Sequence, residues 1–177
     1  MSQAPVRLWT VGHSNRTILE LLAILASVPI AYVVDVRTLP RSRRYPQFDR
    51  DALAWELERV GIVYRHAPEL GGLRKPRTDS VNTALRRDGF RGYADHMQTA
   101  EFRAGVGRLI GEASGSTTTV LCAEASPEHC HRSLLADALI ARDVQVVHLL
   151  AQDPGQPHRL GALARIAGET VTYPGLL

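Results

Sequence analysis

The chain has few of the features that mark secreted, membrane-spanning or disulfide-stabilised proteins. No apolar run approaches the roughly 20 residues of a membrane-spanning helix, and no signal-peptide pattern opens the chain. Its 177 residues include two cysteines, Cys122 and Cys130, too few for the disulfide framework of a small secreted domain. We therefore expect a cytoplasmic protein without a membrane partner, in which both cysteines are free thiols or ligands.

Lysine is almost absent, because Lys75 is the single lysine among 21 basic residues. The net charge of +3 is small but unevenly distributed, since residues 37–91 carry 13 basic and 7 acidic side chains. A basic segment on a near-neutral body predicts an anionic partner, either a phosphate-bearing small molecule or a nucleic acid. The preference for arginine extends along the whole chain, so the position of an arginine is more informative than its identity.

The apolar pattern predicts one α/β domain over residues 1–177, with a less regular tail from about residue 153. Strands are predicted at 7–12, 31–37, 62–66, 119–123 and 145–150. Helices are predicted after a capping box of Thr17 and Glu20, at 49–60 with Asp49 as the cap, near 100–113, and at 127–142 with Ser126 as the cap. The remainder is expected to be a loop, a short helix and a tail. Alternating strands and helices predict a three-layer, Rossmann-like fold, in which a mainly parallel sheet of about five strands carries helices on both faces.

Polar and reactive side chains follow each of the first four predicted strands. Ligands of such sheets bind beyond the carboxyl ends of the strands, so these side chains predict a binding site there. They are His13 and Ser14, Asp35 and Arg37, His66, and Cys122 and Glu124.

The turn after the first strand has two interpretations. Backbone N–H groups at the start of the next helix, helped by Ser14, are suited to hold an anion. In the alternative interpretation this is a polar turn in which Asn15 forms the turn and Thr17 caps the helix. The turn lacks the glycine spacing of a dinucleotide site and the lysine of a P-loop, so no standard nucleotide motif is present.

Charged residues at the end of the second strand continue into an arginine-rich loop. A buried charge is costly unless it is paired, so Asp35 is expected to pair with an arginine or to accept backbone hydrogen bonds, while Arg37 binds an oxyanion of the substrate. In the loop at 37–48, Arg41 and Arg43 alternate with prolines and aromatics, a composition suited to phosphates and stacked bases. The alternative is a solvated face without a ligand.

The segment 120–132 carries the densest chemistry. Glu124, together with His13 after the first strand, is an acid–base candidate, and Cys122 is a nucleophile or a wall residue. His131 is a further catalytic candidate. Arg132 is unfavourably placed for the helix dipole, which predicts that it meets an anion or Glu124. In the alternatives, Glu124 caps the helix, and the cysteines are packing residues.

No metal and no other cofactor is predicted. On a continuous helix the neighbours Cys130 and His131 diverge by about 100°. The spacing also matches no standard zinc pattern. The alternative is a metal site formed by Cys122 and Cys130, with His131 or Glu124 as a further ligand.

Several short motifs taken together resemble the domain-of-unknown-function 488 family. They are VGHS at 11–14, VDVR at 34–37, PRSR at 40–43 with Pro46 and Phe48, YRH at 64–66, LGG at 70–72, LCAE at 121–124 and CHR at 130–132. The resemblance implies a compact α/β domain in which these loops share one site. It implies no particular activity.

The leading functional hypothesis is an enzyme that acts on a phosphate-bearing substrate, a nucleotide or nucleic acid. Arg37, Arg43 and Arg132 would hold anionic oxygens beside the reactive groups. One alternative is a module that binds nucleic acid or nucleotide without catalysis, and another is a thiol redox or metal protein. The sequence alone leaves open whether the protein is an enzyme.

Overall fold

The main sheet has six strands in the part of the chain that the computed structural model describes, residues 5–151 and 155–175. They are β1 (Arg7–Gly12), β2 (Tyr32–Asp35), β3 (Val63–His66), β4 (Thr118–Cys122), β5 (Gln145–Leu149) and β6 (Gln156–Pro157). Their order across the sheet is β3-β2-β4-β1-β5-β6. The first five are parallel, and β6 is antiparallel to β5.

Helices cover both faces of this sheet, which confirms the predicted three-layer α/β fold. They are α1 (Ile18–Ser27), α2 (Arg50–Arg59), α3 (Asp88–His96), α4 (Ala100–Gly115) and α5 (Arg132–Ile140). Helices α1 and α2 pack on one face, and α3, α4 and α5 pack on the other. Within the described ranges, no helix combines the length and apolarity needed to cross a membrane.

Neighbouring residues of the central strands enter opposite cores. Val33 and Leu121 pack with the core under α1 and α2, whereas Val34 and Val120 pack with the core under the other three helices. Successive side chains of a strand point to opposite faces, so a strand buried on both sides must be apolar at every position. Each fully buried side chain of this size stabilises the fold by about 1.5–3 kcal/mol.

The chain topology creates a crevice beside β4. This strand lies between β1 and β2, whose following helices pack on one face, whereas the helix after β4 packs on the opposite face. Connections that leave in opposite directions open a crevice at the carboxyl ends of the strands. The predicted gathering of polar residues therefore coincides with a topological switch point.

Two helix starts differ in how they are capped. Thr17 and Glu20 form the predicted capping box at the start of α1. Asp49 precedes α2 but makes no side-chain capping bond; its Oδ1 instead accepts a hydrogen bond of 2.7 Å from the Ser42 backbone N–H. Asp49 therefore occupies the predicted N-cap position, but its carboxylate holds the arginine-rich loop and does not cap the helix.

The predicted helix at 127–142 is broken into two parts. Pro127–His129 form a short 3-10 turn, Cys130 has extended backbone angles, and α5 begins at Arg132. The prediction that Cys130 lies in the first turns of a continuous helix is therefore wrong. Ser126 makes no capping bond either.

The region after β5 also differs from its prediction. The expected loop, short helix and tail are replaced, within residues 155–175, by β6 and a hairpin of β7 (Arg165–Ala167) and β8 (Thr170–Thr172). Gly168 in the two-residue turn has a φ of 60°, which glycine adopts without a steric penalty. The β-branched residues Ile166 and Thr170–Thr172 are the strand signal that the prediction missed. The predicted start of the tail near 153 lies outside the described residues.

A chain of buried hydrogen bonds links β1, β5 and the segment after β6 to α5. Thr10 Oγ1 lies 2.7 Å from His148 Nδ1, and His148 Nε2 lies 2.9 Å from His158 Nδ1. His158 Nε2 lies 2.8 Å from Asp137 Oδ1, and Tyr173 donates to Asp137 Oδ2 at 2.7 Å. Because a carboxylate only accepts, His158 donates to Asp137, which assigns His148 Nε2 as the donor to His158 and Thr10 as the donor to His148.

Candidate functional site

An open cleft of about 850 Å³ lies at the carboxyl ends of β1, β2 and β4. Its floor and walls come from the turns after these strands, and its rim comes from the loop at 37–48. Eight of the predicted site residues line it: His13, Ser14, Arg37, Arg41, Cys122, Glu124, Cys130 and His131. Asp35, Arg43, His66 and Arg132 are not among its lining residues.

Arg132 holds the turn after β4 from inside the protein. Its side chain is 0% exposed, and it donates to the backbone oxygens of Glu124 at 2.6 Å and Ala125 at 3.1 Å. A third bond of 3.2 Å reaches Thr10 Oγ1. The predicted partner of Arg132 was an anion or the Glu124 carboxylate, whereas the structure gives it carbonyl and hydroxyl oxygens.

Close backbone packing explains the glycine at the end of β1. A Cβ atom built on Gly12 would lie 1.6 Å from the Glu124 carbonyl oxygen, so no other residue fits without displacing the turn. The backbone N–H of His13 donates to Cys122, and that of Ser14 donates to Ala123. These two N–H groups are therefore engaged within the chain, and they hold the turn after β1 against the end of β4.

Asp35 and Arg37 form a buried ion pair at the end of β2. Arg37 Nη2 lies 2.6 Å from Asp35 Oδ2, and Nε lies 2.9 Å from Oδ1. Tyr64 donates to the same carboxylate at 2.7 Å, and this hydrogen bond and the Asp35 charge add to burial in raising the pKa of Tyr64. The expected pairing of Asp35 with an arginine is thus present, and Arg37 also lines the cleft.

His13 is held as a neutral imidazole beside Arg37. Its Nδ1 lies 2.9 Å from the Ser14 carbonyl oxygen, which only accepts, so Nδ1 carries the proton. Nε2 therefore accepts from Arg37 Nη1 at 3.3 Å, and the ring stacks on Phe48 with centroids 4.3 Å apart. Burial is the main cause that lowers the pKa of His13 to about 4.

His13 and His148 predict a loss of stability in mild acid. Burial also lowers the pKa of His148 to about 4, whereas an unfolded histidine titrates near 6.5. Between these values the unfolded chain binds more protons, so stability is complete above about pH 6.5 and falls as the pH drops toward 4. Each histidine is expected to remove on the order of 1–2 kcal/mol between pH 7 and pH 5 in urea unfolding.

A His13→Gln, His148→Gln variant checks this prediction. Its stability should depend less steeply on pH than that of the wild type, whatever its absolute stability. The matched control is His129→Gln, because His129 is exposed and should leave the slope unchanged. If the stability of the wild type and of the double variant depends on pH with the same slope, the lowered pKa values of His13 and His148 would not be the cause of the loss in acid.

Two thiols and an imidazole meet at the floor of the cleft. His131 Nδ1 lies 3.9 Å from Cys122 Sγ and 3.8 Å from Cys130 Sγ. The three ligand-forming atoms lie within 4.8 Å of one another, and neither cysteine is in a disulfide. The extended backbone at Cys130 brings this cluster together, because a continuous helix would turn Cys130 away from His131.

The pKa values of the two thiols are shifted in opposite directions. The hydrogen bond from Cys122 lowers the pKa of Cys130 against the opposing effect of burial, and His131 and Arg132 lower it further. The same hydrogen bond, together with burial, raises the pKa of Cys122. Cys130 is therefore the better candidate for a thiolate, although the sequence had pointed to Cys122 as the nucleophile.

Gly72 and Tyr93 position the His131 ring, and the sequence analysis assigned neither to the site. A Cβ on Gly72 would lie 2.9 Å from His131 Nδ1, so glycine permits the ring to approach the backbone. The Tyr93 ring lies 4.8 Å from His131 between centroids, and its hydroxyl donates to the Leu70 carbonyl at 3.0 Å. The Leu-Gly-Gly motif at 70–72 was the available clue to this contact.

The rim of the cleft is basic and aromatic. Arg41 and Arg44 are exposed and line the cleft, and Arg44 lies over the Tyr45 ring at 5.4 Å from its centroid. Arg44 and Tyr45 were not named as individual site residues from the sequence, although the loop was. Glu124 is exposed on the wall of the same cleft.

His66 supports the loop rather than the cleft. Its Nε2 lies 2.7 Å from the Arg37 carbonyl oxygen, and its ring is partly buried. A carbonyl oxygen only accepts, so this nitrogen donates and is committed to the backbone. The predicted role of His66 in substrate binding therefore becomes one of holding Arg37.

The fold and site define an α/β domain with a switch-point cleft, a thiol–imidazole floor and an arginine rim. A family model described as "Domain of unknown function DUF488" matches residues 17–139. The chain belongs to this family, which confirms the resemblance seen in its motifs. Searches of curated proteins and of solved structures found no match to the chain.

Proposed function

We propose that the protein is an enzyme that acts on a phosphate-bearing substrate, a nucleotide or nucleic acid, bound in this cleft. The observation that carries the proposal is that one cleft is lined by both reactive side chains and exposed arginines. Reactive side chains form the floor, and the exposed guanidinium groups of Arg41 and Arg44 stand at the rim. Clustered, perturbed titratable groups in a cleft are typical of catalytic sites.

The rim is suited to bind an anion because two of its arginines form no ion pair with a carboxylate among the described residues. Arg37 is paired with Asp35, so its role is to present one guanidinium edge rather than a net charge. Arg41 and Arg44 supply the charge, and Tyr45 supplies a ring that suits base stacking. Together they match a nucleotide better than a simple inorganic anion.

The floor supplies the reactive group, and the wall supplies an acid–base group. Cys122, Cys130 and His131 form the reactive cluster, and Glu124 is exposed close to it along the turn after β4. His13 has both ring nitrogens engaged, so we assign it the positioning of Arg37 in place of proton transfer. This division of roles leaves Glu124 as the acid–base candidate.

Fluorescence anisotropy of labelled single-stranded and duplex oligonucleotides, at two salt concentrations, tests recognition. Binding should weaken with salt, and Arg41→Ala or Arg44→Ala should each reduce the logarithmic salt slope by about 0.7–0.9. Arg43→Ala is the matched control, because Arg43 is exposed in the same loop but does not line the cleft. Mononucleotides added as competitors distinguish a polymer from a small ligand.

Turnover of the bound ligand tests catalysis. Incubation followed by chromatography should detect a product with the wild type and none with Cys130→Ser, while the affinity for the ligand changes by less than about threefold. A ligand that binds but is never converted would leave a non-catalytic binding module. Absence of binding to every oligonucleotide and mononucleotide would remove the phosphate-bearing substrate class.

A further inference from the structure

We propose that Cys122, Cys130 and His131 bind one zinc ion at the floor of the cleft, with its fourth coordination position open to substrate. One reason for expecting no metal was a continuous helix through Cys130 and His131. The backbone break at Cys130 removes that reason, and it brings both sulfurs to the same nitrogen.

The distances match those of a tetrahedral zinc site. Bonds of about 2.3 Å to sulfur and about 2.0–2.1 Å to nitrogen place a sulfur and a nitrogen ligand about 3.6 Å apart. The observed separations from His131 Nδ1 are 3.9 Å to Cys122 Sγ and 3.8 Å to Cys130 Sγ. Small side-chain rotations therefore suffice to close the site around an ion.

The surroundings of His131 favour a ligand role over a structural one. Its Nδ1 faces the two sulfurs. A structural histidine normally satisfies its buried nitrogens with oxygen or nitrogen partners. Here packing against Tyr93 and Gly72 holds the ring and aims Nδ1 at the thiols.

The protein also provides for the charge of a thiolate ligand. The Arg132 backbone N–H approaches Cys130 Sγ at 3.5 Å, and such N–H contacts stabilise metal-bound sulfur. Thiolate and imidazole ligands select zinc over magnesium or calcium, which prefer oxygen.

The fourth coordination position of the zinc ion would be accessible from the cleft. All three ligands line the cleft, so an ion between them borders the space enclosed by the arginine rim. Three protein ligands with one open position are typical of catalytic rather than structural zinc. This part of the inference rests on the proposed function, because the open position would take an anionic oxygen of the phosphate-bearing substrate.

Cobalt titration of the reduced, full-length protein tests the site, since Co²⁺ reports tetrahedral thiolate ligation by its absorption. We expect one equivalent per chain, thiolate-to-cobalt charge-transfer bands, and displacement by Zn²⁺. Cys130→Ser and His131→Ala should each weaken binding by on the order of 100-fold. His129→Ala is the matched control, because this exposed histidine lines the same cleft outside the cluster.

A second measurement uses the wild-type protein, so its result does not depend on whether the variants fold. Zinc should protect both wild-type thiols from alkylation, with a midpoint at the affinity found by displacement of cobalt. Unprotected thiols, cobalt binding without thiolate bands, or undiminished binding by a folded Cys130→Ser variant would each overturn the metal site. Oligonucleotide anisotropy with and without zinc separates the two proposals, because rim-dependent binding that persists without metal supports the proposed function alone.

Discussion

Replacing Asp35 by asparagine is expected to destabilise the protein by about 3–5 kcal/mol. Asparagine keeps the size of the side chain but removes the charge that pairs with Arg37. Both side chains are almost inaccessible, with Asp35 at 0% and Arg37 at 6% exposure, so water cannot replace the carboxylate. Urea unfolding at neutral pH measures the loss.

The double variant Asp35→Asn, Arg37→Met shows whether the loss comes from an unpaired buried charge on Arg37 or from a general packing defect. Removing both charges should recover part of the stability, and a coupling of about 0.5–3 kcal/mol is expected for groups in direct contact. Additive losses from the two single variants would contradict the view that the pair is the source of the effect. The Tyr64→Phe variant should cost less, about 1.5–3 kcal/mol, because it removes one hydrogen bond to the same charged carboxylate.

Arg132→Met is expected to cost a similar amount, about 3 kcal/mol or more, and to disturb the site. Methionine fills much of the same volume and has a similar helix propensity, so the main loss is of hydrogen bonds. The Glu124 and Ala125 carbonyl oxygens would lose this donor, and each buried group left unsatisfied costs about 1–3 kcal/mol. Thermal or urea unfolding measures the change.

The site should respond as well as the stability, because Arg132 holds the turn that separates Cys122 from Cys130. We expect the alkylation rate of the two thiols to change in the folded Arg132→Met variant, measured well below its unfolding transition. The control is Arg59→Met on α2, where the side chain is 60% exposed and the expected effect is within about 0.5 kcal/mol. An Arg132→Met variant as stable as this control would contradict the structural role.

The five parallel strands and the helices α1, α2 and α4 were predictable because they rest on local patterns. Near-continuous apolar runs mark strands buried on both faces, and the capping box at Thr17 marks a helix start. The hairpin β7–β8 was missed although its turn at Gly168 is local, because its strands are short and mostly exposed. A short strand has too few residues for its alternation of apolar and polar side chains to be recognised in the sequence.

The location of the site was also predictable, whereas several roles within it were not. The rule that ligands bind beyond the carboxyl ends of parallel strands identified five of the lining residues from sequence order alone. The burial of Arg132 depends on where the turn after β4 folds back. The roles of His66 and His13 depend on which carbonyl oxygen each ring meets. Such contacts join residues that are distant in the chain, so no local pattern encodes them.

The sequence by itself determined the α/β class, the family and the end of the sheet that carries the polar residues, because strand periodicity and motif order are local properties. Only the tertiary structure decided that Cys122, Cys130 and His131 form one cluster. The extended backbone of Cys130 interrupts a segment whose apolar period predicts an unbroken helix. The interruption is stabilised by contacts with β1 through Arg132 and with the Gly72 loop through His131, which exist only after the chain has folded.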